Sequence, residues 1–326
     1  MEPIDPHGLA DAIIGGSVRA LSRGLTWVEE GGDRAEALID ALYPLSSDTH
    51  VVGITGAPGT GKSTLVRALA LVARTRDNNV GIIAIDPSSP FSGGSILGDR
   101  IRMSDLSADS GVFIRSMATR GSLGGLCSAA GEAVDVLRAA GRDLILVETV
   151  GVGQDEVDIM RLAHTTVVVS VPGLGDDIQA IKAGILEIAD VHVVNKADRD
   201  GANRTIGELK SMLALADPNH GDREIPIVAS IATKEEGASE LLQEITKHRQ
   251  HLATTGELAR RERLIAEWRV LKAAQAIVAE PLVAGHDDLR DKLERVARRE
   301  ISPYRCASAL VARASAETER RSSGVR

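Results

Sequence analysis

"GAPGTGKS", residues 56 to 63, fills every fixed position of the pattern G-x-x-x-x-G-K-[ST]. It follows a short β-branched run, "HVVGI" at 50–54, and precedes "TLVRALALVA", which reads as a helix from Thr64 onward. That strand–loop–helix order separates a phosphate-binding loop from a chance Gly-rich turn. Gly56, Gly59 and Gly61 let successive backbone N–H groups curl around an oxyanion. Ala57, Pro58 and Thr60 complete the loop, and the helix beginning near Thr64 directs its positive end at the same phosphates. Lys62 brings a mobile charge to the β and γ phosphates, and the Ser63 hydroxyl is the expected magnesium ligand.

Outward from the loop, "VGIIAI" at 80–85, "DLILVE" at 143–148, "TTVVVSV" at 165–171, "DVHVV" at 190–194 and "IPIVAS" at 225–230 are apolar without alternation. Strands buried on both faces need that pattern, and the intervening segments are long enough for crossover helices. The expected fold is α/β: a P-loop NTPase with a mostly parallel sheet flanked by helices.

Strand ends in such a sheet gather on the edge that carries the phosphate loop. Asp86, Asp99 and Glu148 stand at or just beyond such ends, so all three can converge on one magnesium ion, which takes hard oxygen ligands. Each alone reads equally as a helix cap or a solvent-facing acid. The Gly/Ser-rich stretch 88–98 and "GVGQDE" at 151–156 are candidate switches that order with a triphosphate and relax after hydrolysis. Gln154 in the second either orients the attacking water or is structural.

"VVNKADRD" at 193–200 is ambiguous by itself, because Asn, Asp and Lys are common turn formers. With a phosphate loop upstream and a buried strand before it, it reads as a guanine reader. Asp198 accepts from N1 and the exocyclic amine, the stem of Lys196 covers the ring, and Asn195 braces the loop. The expected ligands are therefore GTP, GDP and magnesium.

The ends of the chain differ in texture. Leu9, Ile13, Leu21, Leu25, Leu38, Ile39, Leu42 and Leu45 fall roughly at helical spacing, interrupted by Gly pairs at 15–16 and 31–32, which makes 1–48 a helical segment ahead of a nucleotide domain at 49–250. Beyond it, Leu264, Trp268, Leu271 and Ile277 mark a long helix that Pro281 and Gly285 should end, and Leu289, Leu293 and Val296 mark another. This region, 251–326, reads either as a small bundle closing the domain or as an arm that dimerises, with a frayed tail.

A net charge of −8 and few aromatic residues argue against a nucleic-acid binder. Cys127 and Cys306 are the only cysteines and lack metal or redox spacing, so a reducing cytoplasm is the natural compartment. No apolar run approaches the roughly 20 residues that span a bilayer, so no membrane association is expected.

The blocks "GITGAPGTGKSTL", "AIDPSSPFSGGSILGDRIRM", "GVFIRSMATRGSLGGL", "LVETVGVGQDEVD" and "PGLGDDIQAIKAGILEIADVHVVNKAD" resemble the successive signatures of the MeaB/ArgK family, and the similarity extends to "EISPYRCASALVA" at 300–312. The resemblance implies a GTPase chaperone of an adenosylcobalamin-dependent acyl-CoA mutase. Such a protein gates delivery of the cofactor from a cobalamin adenosyltransferase and protects or reactivates the mutase. The adenosylcobalamin belongs to that partner. The resemblance also implies a homodimer formed through the C-terminal helices, places Asp86, Asp99 and Glu148 around magnesium, and marks 173–182 as a further switch toward the mutase, with Asp176 and Lys182 in it. Two departures stand out: Thr60 occupies a position where many relatives carry Val, and "SIATKEEG", with Ser230 expected near the guanine O6, is more polar than usual. Rival readings are a nickel-inserting GTPase, which usually has a His- or Cys-rich loading element, a P-loop small-molecule kinase, and a scaffold that uses nucleotide only for stability.

Overall fold

In the computed structural model the described residues are 5–45, 48–86, 103, 105–118, 129–149, 158–173, 188–216, 224–283 and 287–312. Helix α1 (Pro6–Ile14) begins where the Asp5 carboxylate accepts the Gly8 N–H, with Pro6 at the first helical position. The Ser17 hydroxyl accepts the Ala20 N–H to cap α2 (Val18–Glu30), and the glycine pairs divide these helices and α3 (Asp33–Leu42) as their sequence suggests.

Among the described residues seven strands form one sheet: β1 (His50–Thr55), β2 (Val80–Asp86), β3 (Val112–Ala118), β4 (Leu144–Glu148), β5 (Thr165–Ser170), β6 (Val191–Asn195) and β7 (Ile227–Ser230). Their order is β3-β2-β4-β1-β5-β6-β7 and every pairing is parallel. The chain leaves β1, passes to one flank and later returns to β5 on the other, so β1 is the switch point at which α/β sheets bind ligands. The described crossover helices are α4 (Lys62–Arg74), α5 (Ala129–Ala139) and α6 (Ala202–Ala216), with α7 (Ala238–Thr255) following β7.

Adjacent residues on a strand face opposite cores. Val51, Ile83, Ile145 and Val147 join α1–α3 and α5 on one face. Val52, Ile54, Ile82 and Leu146 join α4 and α7 on the other. The stretch 1–48 thus contributes to the sheet's own core through Leu9, Ile13, Leu21, Leu25, Leu38 and Leu42, whereas Leu45 is exposed.

Strand β3 is the element that apolar runs do not reveal. It lies at the sheet edge, most of its residues are only half-buried, and Arg115 within it pairs with Glu29 of α2. An edge strand needs no continuous apolar run.

The chain divides into two compact units, Met1–Ile265 and Ala266–Arg326. Helix α8 (Glu257–Val283) straddles that division, and α9 (Asp287–Ala297) lies in the second unit. Helix α8 continues past Pro281, the expected stop. Proline accepts helical φ, and at two residues from the helix end it costs the hydrogen bond its nitrogen cannot donate and crowds the carbonyl of the preceding turn, without breaking a long helix beyond it. Gly285 lies outside the described residues. Leu271, Ile277 and Leu293 are exposed, whereas Trp268 and Val296 are half-buried. Among the described residues no helix is long and apolar enough to cross a membrane.

Candidate active site

Buried strand β1 delivers the chain into the phosphate loop. Gly56 has φ +141°, and a Cβ there would fall on the Val169 carbonyl oxygen of β5. Gly61 has φ +90°, and a Cβ would come within 2.5 Å of Asn195 Nδ2. Both positions therefore require glycine, one for close packing against β5 and one for approach to Asn195 at the end of β6.

Helix α4 starts at Lys62, so its unpaired N–H groups and positive end face the loop. Lys62 is buried, and its Nζ donates to the carbonyls of Gly56 at 2.8 Å and Ala57 at 3.2 Å, which holds the ammonium at the mouth of the loop. The Thr60 hydroxyl donates to Ala57 O at 2.9 Å and stiffens the turn.

The Ser63 hydroxyl donates to Glu148 Oε1 at 2.7 Å, and both side chains are buried. Glu148 is in register with Ile54 on β1 and Ala84 on β2, two residues before the phosphate loop begins. Thr149 continues this link: its N–H donates to Ile54 O and its hydroxyl donates to Thr55 Oγ1 at 3.0 Å. Thr149 escapes sequence reasoning because a threonine beside an acid has no distinguishing pattern. A hydroxyl and a carboxylate in contact beside a phosphate cradle are the hard oxygen donors magnesium takes, so these residues fit that ion. Among the described residues there is no cluster of His, Cys, Asp and Glu that would hold a metal by protein ligands alone, and magnesium at phosphates rarely needs one. The backbone of Asp86 ends β2 on the same edge, but its side chain, together with Asp99, Gln154, Asp176 and Lys182, lies outside the described residues.

The other half of the site comes from β6 and β7. Asn195 is buried at the end of β6; its Nδ2 donates to Thr60 O at 2.8 Å, and its Oδ1 accepts the Ala232 N–H at 3.1 Å. One side chain therefore ties the turn after β6 to the phosphate loop and to the turn after β7. Lys196, with φ +55°, lays its chain toward the phosphate loop and donates from Nζ to Gly59 O at 2.6 Å. Asp198 is exposed on the turn that follows. Ser230, in register with Asn195, is buried and donates its hydroxyl to Glu236 O at 3.1 Å, so it braces the turn after β7. Asn195, Lys196 and the phosphate loop are thus brought together.

A family model described as methylmalonyl-CoA mutase-associated GTPase MeaB matches residues 21–287. The chain belongs to the MeaB family of GTPases. A Pyrococcus horikoshii protein named as a GTPase is 46% identical over 313 residues, covering 95% of this chain and 98% of its own. The mouse mitochondrial methylmalonic aciduria type A homolog is 31% identical over 324 residues, covering 93% and 78%. A crystal structure titled LAO/AO transport system kinase shares the fold with a TM-score of 0.69 at 24% identity, covering 95% of this chain and 97% of that one. The matched span contains the phosphate loop, Glu148 and residues 195–198.

Proposed function

We propose that this MeaB-family chain hydrolyses GTP as a timed switch, and that the switch gates adenosylcobalamin loading of an acyl-CoA mutase of the methylmalonyl-CoA type and protects or reactivates that mutase. The observation that carries the nucleotide half is the Asn195 bridge, which fixes a base-reading turn at a set distance from a phosphate cradle. Asp198 reads the guanine donors, and Asn195 and Lys196 hold the turn that presents it. The partner half is supported by the family's description as mutase-associated.

In this reading Gly56 to Thr64 cradle the phosphates through backbone N–H groups. Lys62 shifts its ammonium from the loop carbonyls to the β and γ oxygens, where it stabilises charge as water attacks in line. Ser63 and Glu148 would hold magnesium, with Asp86 and Asp99 as further acidic members. When bound, that ion neutralises charge on the phosphate oxygens. Gln154 orients the water. Asp176 and Lys182 carry the nucleotide state to the mutase, and a cobalamin adenosyltransferase supplies the cofactor that the mutase receives. The exposed apolar residues of α8 and α9 support a homodimer formed through these helices. The two widely separated cysteines, without paired spacing, support a cytoplasmic location.

The test is phosphate release from GTP with magnesium, with and without a methylmalonyl-CoA mutase, alongside binding of that mutase in GDP and in a non-hydrolysable GTP analogue. Faster release and unequal affinities are expected, because coupling between two sites is reciprocal. Unchanged release at saturating mutase with equal affinities would refute the partner half. Equal binding of ADP and GDP would refute the base reader.

A further inference from the structure

Arg67 lies on α4, one helical turn beyond Ser63, and its guanidinium bridges two loops that approach the helix from different parts of the chain. Its Nε donates to Asp105 Oδ2 at 2.7 Å and its Nη2 to the same oxygen, while its Nη1 donates to Glu235 Oε1 at 3.2 Å. Asp105 opens the short turn Leu106–Ala108, six residues along the chain from Asp99. Glu235 sits at φ +62° in the turn after β7, between Ala232, whose N–H meets Asn195, and Glu236, whose carbonyl meets Ser230.

Both loops are also held by apolar anchors. Met103 and Leu106 on one side and Ala232 on the other belong to the buried cluster that contains Leu65, Val66 and Leu69 of α4. The anchors fix where each loop touches the helix, but methyl groups leave the rotation of an exposed turn loosely defined. A planar guanidinium with several fixed donors defines it better. Hydrogen bonding from Arg67 also holds the Asp105 carboxyl below its usual range, in keeping with an ionised partner.

We infer that Arg67 is a positioning residue that sets two parts of the nucleotide site at once: through Glu235 the turn that backs the base reader, and through Asp105 the segment that follows the magnesium-side acids. The inference rests on the GTPase reading above and adds to it a residue that ties base retention to hydrolysis from outside the signature motifs.

Four variants test it: Arg67→Ala, Arg67→Lys, Asp105→Asn and Glu235→Gln. The readouts are release of fluorescently labelled GDP, kcat and KM for GTP with magnesium, and the urea midpoint of unfolding. Each arm is partly solvated, so effects of about fivefold are expected rather than complete loss. Glu235→Gln should speed GDP release about fivefold and leave kcat within twofold, and Asp105→Asn should lower kcat about fivefold and leave release within twofold. Arg67→Ala should show both effects, and adding Glu235→Gln to it should speed release no further. Arg67→Lys, a point charge that reaches one carboxylate at a time, should recover one effect and not both. All four effects should shrink in 1 M salt, where the Debye length falls to about 3 Å.

Release and kcat in Arg67→Ala both within twofold of the parent would overturn the inference while leaving the GTPase reading intact. So would equal losses in every variant in step with a lower urea midpoint. A parent protein that retains no GDP would remove both readings together.

Discussion

Ser63, in the first turn of α4, and Glu148, at the end of β4, share a hydrogen bond of 2.7 Å across 85 residues of sequence. Both are buried, so the carboxylate is held against the hydroxyl that in the proposed function takes a magnesium ion. Replacing Glu148 with Gln keeps the shape but replaces an acceptor by an amide donor. Magnesium-dependent GTP hydrolysis should then fall about 10- to 100-fold, the size seen when groups supporting a metal are lost. GDP binding measured in chelator should change little, because that equilibrium does not use the ion. Equal hydrolysis by Glu148→Gln and the parent would remove Glu148 from the magnesium site.

Asp198 stands exposed on the turn after β6, where a carboxylate can meet two donors on a base edge. Substitution by Asn replaces one acceptor with a donor that guanine cannot satisfy. The preference for GDP over ADP should shrink by about 1–3 kcal/mol. Calorimetry with both nucleotides measures it, and a parent that binds ADP as tightly as GDP would dispose of the guanine reading.

The parts of this molecule that were legible in the sequence are those whose physics is local. Strands β1, β2 and β4–β6 announce themselves because both faces are buried, β7 keeps an apolar run although it is the other edge of the sheet and only partly buried, and the phosphate loop announces itself because only glycine accepts the φ values at Gly56 and Gly61. Strand β3 is silent because an edge tolerates Arg115 and Ser116. Arg67 is silent for another reason: its partners lie 38 and 168 residues away, and an ion pair over such separations leaves no spacing to read. The motif around Asn195 reads as base recognition, yet the structure adds a second task, since the same amide clamps the phosphate loop.

That second task gives the third prediction. Asn195→Ala leaves the Thr60 carbonyl and the Ala232 N–H without the amide that now satisfies both, in a buried setting. An unsatisfied buried group costs about 1–3 kcal/mol, so the variant should lose stability in the absence of nucleotide as well as GDP affinity. Urea unfolding without ligand separates the two effects. An unchanged unfolding free energy would mean that Asn195 matters only when a base is present.

The last prediction concerns the opposite end of the strands from the phosphate loop. His50 at the start of β1, Thr165 at the start of β5 and His248 of α7 form a chain: His50 Nε2 lies 2.8 Å from Thr165 Oγ1, and that oxygen lies 2.8 Å from His248 Nδ1. Beside it, the Val51 N–H donates to His164 Nδ1 at 3.2 Å, and Arg138 Nη2 stands 3.1 Å from His164 Nε2. Burial first, and then the nearby arginines, push His164 down to about 3, and burial pushes His50 down as well. Unfolded, each returns to about 6.5 and takes up a proton below that pH. Since the unfolded state then binds more protons than the native state, stability present above pH 6.5 is lost as pH falls, with a slope for each histidine that is about 0.7 kcal/mol per pH unit at pH 6.5 and approaches about 1.4 near pH 5. Between pH 6.5 and 5 ordinary carboxylates stay ionised, so the histidines dominate the slope. His164→Gln, which cannot take up a proton in either state, should flatten the pH dependence of the urea-unfolding free energy over that interval by about 1 kcal/mol per unit on average. An identical slope in the variant and the parent would mean that His164 is protonated as readily in the folded protein as outside it.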